Sequence, residues 1–241
     1  MATESRLLGN NKITRQELAL IETPEATDTF RPIAHHALVD SLIETLSFRH
    51  INVTADEYVT SPDGMKMFGL LQLDATFLDC RFSIGIRNAH DKSMRLGLVA
   101  GYNVLVCENM SFQGEFKPVL AKHSKNFNLE DALTIGVDRI QKNWTPMQQA
   151  LEHRRSFELT DNQARLMIYE AFLQGRFPIK LMKPVDKEYF QPSYEEFKPK
   201  TLWSLENAFT SGFKALKPIP QYQATAQLGT FMKNITPPFG N

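Results

Sequence analysis

The chain has 241 residues, 42% of them hydrophobic and 17 of them Phe, enough to bury a substantial core and too apolar for a disordered chain. Its 27 Lys and Arg balance its 27 Asp and Glu, so net charge selects no class of partner. No apolar run approaches the roughly 20 residues of a membrane span, and the segment Met1–Lys12 lacks the apolar core of a signal peptide. The expectation is a cytoplasmic protein with no membrane partner. Cys80 and Cys107 have no CxxC spacing, and both sit in or beside apolar runs, which reads as buried thiols in a reducing compartment.

In chain order, Thr14 and Glu17 form a capping pair around a short helical turn. Arg31-Pro32-Ile33 opens the first full helix, with Ile33, Ala37, Leu38, Leu42 and Leu46 at helical period. His35 and His36 are adjacent and face different ways, so one packs at the helix start and the two do not form a metal pair. Phe48–Thr60 and Met67–Leu73 read as strands around the turn Ser61-Pro62-Asp63-Gly64, so residues 51–73 form a β-hairpin. Asp74–Asp79 reads as a connection and Cys80–Arg87 as the next strand. Asn88–Ser93 breaks that strand. Residues 94–101 fit a strand or a short helix, and Tyr102–Glu108 a buried strand.

Asn128 suits the N-cap of a helix over Leu133, Val137, Ile140 and Trp144, which Pro146 either ends or restarts. Thr160 caps a helix through Gln174 that Gly175 ends, with Leu166, Ile168, Tyr169, Phe172 and Leu173 as its apolar face. Four prolines in 176–200 predict an extended wrap. Leu202–Leu216 is a strong helix that offers Trp203, Leu205, Ala208, Phe209 and Phe213 for burial. A short helix around Ala224–Met232 and a Pro/Gly tail follow. The pattern predicts an α+β fold: an N-terminal helix, a central, mostly antiparallel sheet over 50–124, and a helical C-terminal half. It divides into an extension, 1–30, and one domain, 31–241.

The polar chemistry concentrates between Phe82 and His123. Residues 81–125 hold seven bases against three acids, whereas residues 1–63 hold ten acids against five bases. That asymmetry suits a polyanion, or head-to-tail stacking of copies in a homo-oligomer; the alternative is an ordinary solvated surface. Arg87, Asn88, Lys92, Arg95, Lys122 and Lys125 fall at strand ends and in loops, where a sheet presents cations to phosphates. Tyr102, Phe112, Phe116 and Phe127 lie near them as stacking candidates. His90, Asp91 and His123 are the candidate acid/base groups. Adjacent His90, Asp91 and Ser93 do not suit a catalytic triad, whose members come from separate elements. Cys107 and His123 as a thiolate pair is outweighed by Cys107 as a core thiol. The spacing of His90, Asp91, Cys107 and His123 demands no metal, and none is expected. No GxxxxGK loop and no cofactor motif is present.

This central stretch resembles a family of phage- and plasmid-borne bacterial proteins, domain of unknown function 932. The resemblance rests on Phe68-Gly69-Leu70-Leu71 after the Asp63-Gly64 turn and on Arg87-Asn88-Ala89-His90-Asp91-Lys92-Ser93, similar to RNSHDKS. Val106-Cys107-Glu108-Asn109, Phe112-Gln113-Gly114-Glu115 and Lys122-His123-Ser124 are similar to VCDN, FSGE and KHT. Trp203 with Asn207-Ala208-Phe209-Thr210 resembles WxxxNAxT. Ala89 stands where the family has Ser, and the acidic–His pair of longer members after Thr210 is absent. The resemblance implies a mobile-element setting and no defined activity. The reading is a binder of single-stranded nucleic acid for recombination, annealing or replication. Its alternatives are an enzyme on nucleic acid or nucleotides through His90, Asp91 and His123, and a protein-binding factor that counters host defence.

Overall fold

A computed structural model describes residues 12–105, 110–112 and 118–235. The fold is α+β, and the chain divides into two compact units, residues 1–103 with 116–142 and residues 104–115 with 143–241.

The first unit carries the sheet. Strand β1 (Lys12–Ile13) leads to helix α1 (Arg15–Leu18), closed by the expected reciprocal cap between Thr14 and Glu17. Helix α2 (His35–Ser47) begins after Pro32, not at it. The segment ahead of it stays extended, which leaves the Ile33 carbonyl free to accept side-chain hydrogen bonds. Strands β2 (Val53–Thr60) and β3 (Lys66–Phe77) form the expected antiparallel hairpin. Its turn places Gly64 at φ +68°, and Asp63 accepts from the Met65 N–H at 3.1 Å.

Asp74–Asp79 is not a connection. β3 runs to Phe77, Leu78 turns at φ +52°, and β4 (Cys80–Ala89) pairs antiparallel with β3 as far as Phe77 opposite Cys80. The polar residues misled because this end of the ladder projects into solvent, where strand positions carry polar side chains without a turn. β5 (Leu96–Val104) follows, so the 94–101 ambiguity resolves as strand. The order is β1-β2-β3-β4-β5, and β7 (Val119–Ala121) pairs antiparallel with β5.

Leu38, Leu42 and Leu46 of α2 are fully buried, as are Ile84 and Ile86 of β4. Helix α3 (Leu129–Ser156) starts after Asn128, whose side chain accepts from Asp131 N–H, and contributes Leu133, Val137 and Ile140 to the unit. Arg49, after α2, donates to Asp138 of α3 at 2.6 Å. α3 continues through Pro146, which removes one donor without ending the helix.

The second unit holds the short strand β6 (Met110–Phe112), the rest of α3, and helices α4 (Asp161–Leu173), α5 (Met182–Phe190), α6 (Leu202–Phe213) and α7 (Pro218–Ile235). Phe177 packs against Phe172, Phe209 and Phe213, with ring centroids 5.0 to 6.1 Å apart. The proline-rich 176–200 segment is not an extended wrap. Pro184 falls in the first turn of α5, where a missing N–H costs no helical bond. Pro218 and Pro220 likewise sit in the first turn of α7, so that helix is longer than expected. On α4 the buried set is Ala164, Ile168, Ala171 and Phe172, whereas Leu166, Tyr169 and Leu173 are half exposed or more. All five expected residues of α6 are buried.

Gly136 of α3 lets that helix approach the Val119 segment. A Cβ there would be driven into Val119 Cγ2. In an open helix, Gly→Ala stabilises by about 1 kcal/mol; here overpacking reverses the sign. Gly136→Ala should destabilise by about 1–3 kcal/mol, read as a lower urea midpoint at unchanged slope. A raised midpoint would contradict the close approach.

Candidate anion-binding pocket

The site begins with a buried network. Asn88, at the end of β4, is wholly inaccessible. Its amide nitrogen donates to the Ile33 carbonyl at 2.8 Å and to His35 Nδ1 at 2.9 Å. His35 Nε2–H donates in turn to the Gly64 carbonyl at 2.9 Å. These bonds fix one tautomer: His35 is neutral, accepting at Nδ1 and donating at Nε2. His90 stacks on His35, rings 3.9 Å apart and 4° from parallel, and its Nε2–H donates to the same Ile33 carbonyl at 2.9 Å. The His90 backbone N–H bonds the Met65 carbonyl at 2.8 Å. The network thus ties the extended entry to α2, the β2–β3 turn and the end of β4 to one another.

Burial drives His35 down to about 4, against the opposing pull of the Gly64 carbonyl; His90, His123 and His36 push it further the same way. Burial also lowers His90, with the Ile33 carbonyl and Asp91 opposing. Burial and the neighbouring His90 lower His123, with the Ala89 carbonyl opposing.

Beside this network lies an open pocket of about 410 Å³. Lys92 and Arg95 come from the loop after β4, Lys122 and His123 from the segment after β7, and Phe30 from the approach to α2. Among the described residues of its lining there is no carboxylate. Asp91 is held aside: Ser93 donates to it through N–H at 3.0 Å and Oγ at 2.5 Å, and Lys66 pairs with it at 3.2 Å. Burial raises that carboxyl, but the Ser93 bonds and Lys66 outweigh it and hold it below the usual carboxylate value. Lys92 adopts φ +62°, a left-handed conformation that costs a residue with a Cβ about 1 kcal/mol or more. Its ammonium lies 4.9 Å from the Phe30 ring centroid. The Phe30 ring in turn lies 5.5 Å from that of His123, and Arg31 N–H donates to the His123 carbonyl at 3.0 Å.

Of the expected phosphate contacts, the fold gathers Lys92, Arg95 and Lys122 around this pocket. Arg87 is instead packed over Gly97, its Nε 2.9 Å from where a Cβ would stand. Lys125 is exposed outside the lining, and Asn88 is buried beneath it as a strut. His123 joins the pocket wall, whereas His90 sits in the network and Asp91 is bonded to Ser93 and paired with Lys66. Tyr102 is buried and does not offer a face to a base; Phe127 lies outside the lining. Cys107, Asn109 and Phe116, and the side chain of Phe112, lie outside the described residues. Phe30 gains a role that local sequence signals do not carry, and of the two adjacent histidines His35 is the one buried at the helix start. Among the described residues, no three His, Cys, Asp or Glu side chains are placed to hold a metal ion, and no helix is long and apolar enough to cross a membrane. No protein-family model, curated protein or solved structure matches the chain.

His35 has a measurable consequence. Unfolded it titrates near 6.5, folded near 4, so between those values the unfolded chain binds the extra proton. Its contribution is whole above about pH 6.5 and drains as the pH falls toward 4. Between pH 7 and 5 the loss from this residue is on the order of 2 kcal/mol. The urea midpoint should fall across that interval, and His35→Gln should flatten the fall. An equally steep fall in His35→Gln would remove His35 as its cause.

Proposed function

We propose that this protein binds single-stranded nucleic acid through its phosphates, with the pocket around Lys92, Arg95 and Lys122 as the contact. The observation that carries this reading is three cations, Lys92, Arg95 and Lys122, lining one pocket among whose described lining residues there is no carboxylate. Such a field attracts anions and resists neutralisation from within. The Phe30 ring at its edge adds an apolar face for a sugar or base. A pocket of about 410 Å³ admits a phosphate with its attached nucleoside, whereas a duplex calls for a groove-sized surface or a protruding element. The mobile-element setting implied by the resemblance suits a role in annealing, recombination or replication.

The test is titration of labelled single- and double-stranded oligonucleotides at several salt concentrations, with native mass measured alongside. Single strands should bind more tightly, and affinity should fall as salt rises. For single strands the log–log slope is about 0.7 per neutralised phosphate. Lys92→Ala, Arg95→Ala and Lys122→Ala combined should weaken low-salt binding at least about tenfold and reduce that slope by about 2. Lys125→Ala, outside the lining, should change it far less. No binding at low salt, or a triple variant that binds like the parent, would overturn the reading.

A further inference from the structure

Helix α4 buries one face and leaves the opposite one bare. Ala164, Ile168, Ala171 and Phe172 enter the core of the second unit. Across the helix from them, Leu166, Tyr169 and Leu173 are 58%, 50% and 63% exposed. Residues at i, i+3 and i+7 of a helix fall in one line, so these three make a continuous apolar stripe. Their spacing is that of a heptad seam, with Leu166 and Leu173 at a positions and Tyr169 at d. Exposed leucines scattered singly need no explanation, whereas three aligned on one helix have the form of a contact with a second helix.

The charges beside the stripe select the occupant. In the same frame Arg165 is a g position, and Glu170, five residues on, is an e position. Arg165 is exposed, its guanidinium 4.4 Å from the Phe190 ring centroid, and Glu170 is half-buried. Among the described residues neither belongs to an ion pair. When two copies of a helix pack in parallel about a two-fold axis, each g residue lies beside the partner's next e residue. Arg165 then meets the partner subunit's Glu170, and the symmetry makes that pair twice. An antiparallel pair sets g against g and e against e. One flank would then hold only Arg165 and Phe172, the other only Gln163 and Glu170, and no opposite charges would meet.

We propose that the Leu166, Tyr169 and Leu173 face of α4 is a homodimer interface, on which two copies of this chain pack α4 against α4 in parallel with Arg165 of each paired to Glu170 of the other. The apolar seam supplies the attraction and the charges set the orientation, since exposed ion pairs contribute little by themselves. The interface lies within the second unit and stands or falls apart from the anion-binding reading. If both hold, a dimer carries two pockets, which raises its avidity for a strand long enough to reach both.

The test is sedimentation velocity of the full chain, without nucleic acid, over a wide range of concentrations. Far-UV circular dichroism checks the helix content of each variant. The parent should pass from the monomer mass to twice that mass as concentration rises. Leu166→Asp should raise the dissociation constant about tenfold or more, and Leu173→Asp repeats the test should the first variant lose its helical signal. Arg165→Glu and Glu170→Arg should each weaken the dimer about threefold or more, because each sets like charges together at two places. The two changes combined restore opposite charges and should bring the dimer back to within about twofold of the parent. A parent that stays monomeric at every concentration would overturn the proposal before any variant is made. A dimer indifferent to both aspartate substitutions would place the interface elsewhere. A dimer lost in Leu166→Asp but indifferent to the charge changes, or a combined variant no tighter than the single ones, would overturn the parallel pairing.

Discussion

Asn88 has one amide nitrogen, and it serves two buried acceptors, the Ile33 carbonyl and His35 Nδ1. Turning the amide over would set Oδ1 against both, so the orientation is fixed by its surroundings. Three consequences propagate from it. The entry to α2 stays extended, His35 is held neutral and aimed at the Gly64 turn, and the stack of His90 on His35 acquires a fixed base. A proton on His35 Nδ1 would face the Asn88 N–H, so that one bond opposes the charged form along with burial, while the Gly64 carbonyl favours it. What reads in the sequence as polar loop chemistry is thus the internal brace of a site.

That brace separates two kinds of polar residue in one short segment. Asn88 and His90 turn inward and hold backbone; Lys92 and Arg95 emerge beyond them into the pocket. Asp91 accepts from Ser93 and pairs with Lys66, and so the loop's own carboxylate is engaged outside the pocket lining. The left-handed Lys92 is the point at which the chain changes from one task to the other. Strain at such a position persists only where the surroundings hold it, and the hydrogen bonds on either side do so.

Features set by neighbouring residues were legible from sequence: the Thr14–Glu17 capping box, the Thr160 N-cap, the Asp63-Gly64 hairpin, and the buried face of α6. Errors arose where one local signal has two structural meanings. Pro184 reads as a helix breaker and is also at home in a first helical turn. Asp74 reads as a connection and also suits the solvent end of a strand. Leu166, Tyr169 and Leu173 match a helical period as well as the residues that are in fact buried. The cations Lys92, Arg95 and Lys122 could be nominated because they cluster in sequence. Phe30 could not, since its contact with His123 joins segments far apart in the chain. Nor could the inward turn of Asn88, because an asparagine after a strand has the same local signature whether it braces a core or faces solvent.

The brace requires His35 to be a neutral imidazole that accepts at Nδ1 and donates at Nε2. Long-range nitrogen–proton NMR of the histidine rings at pH 7 reads that tautomer. His35 should carry its proton on Nε2 and leave Nδ1 bare. A His35 protonated at Nδ1, or on both nitrogens at pH 7, would show that Asn88 does not hold it.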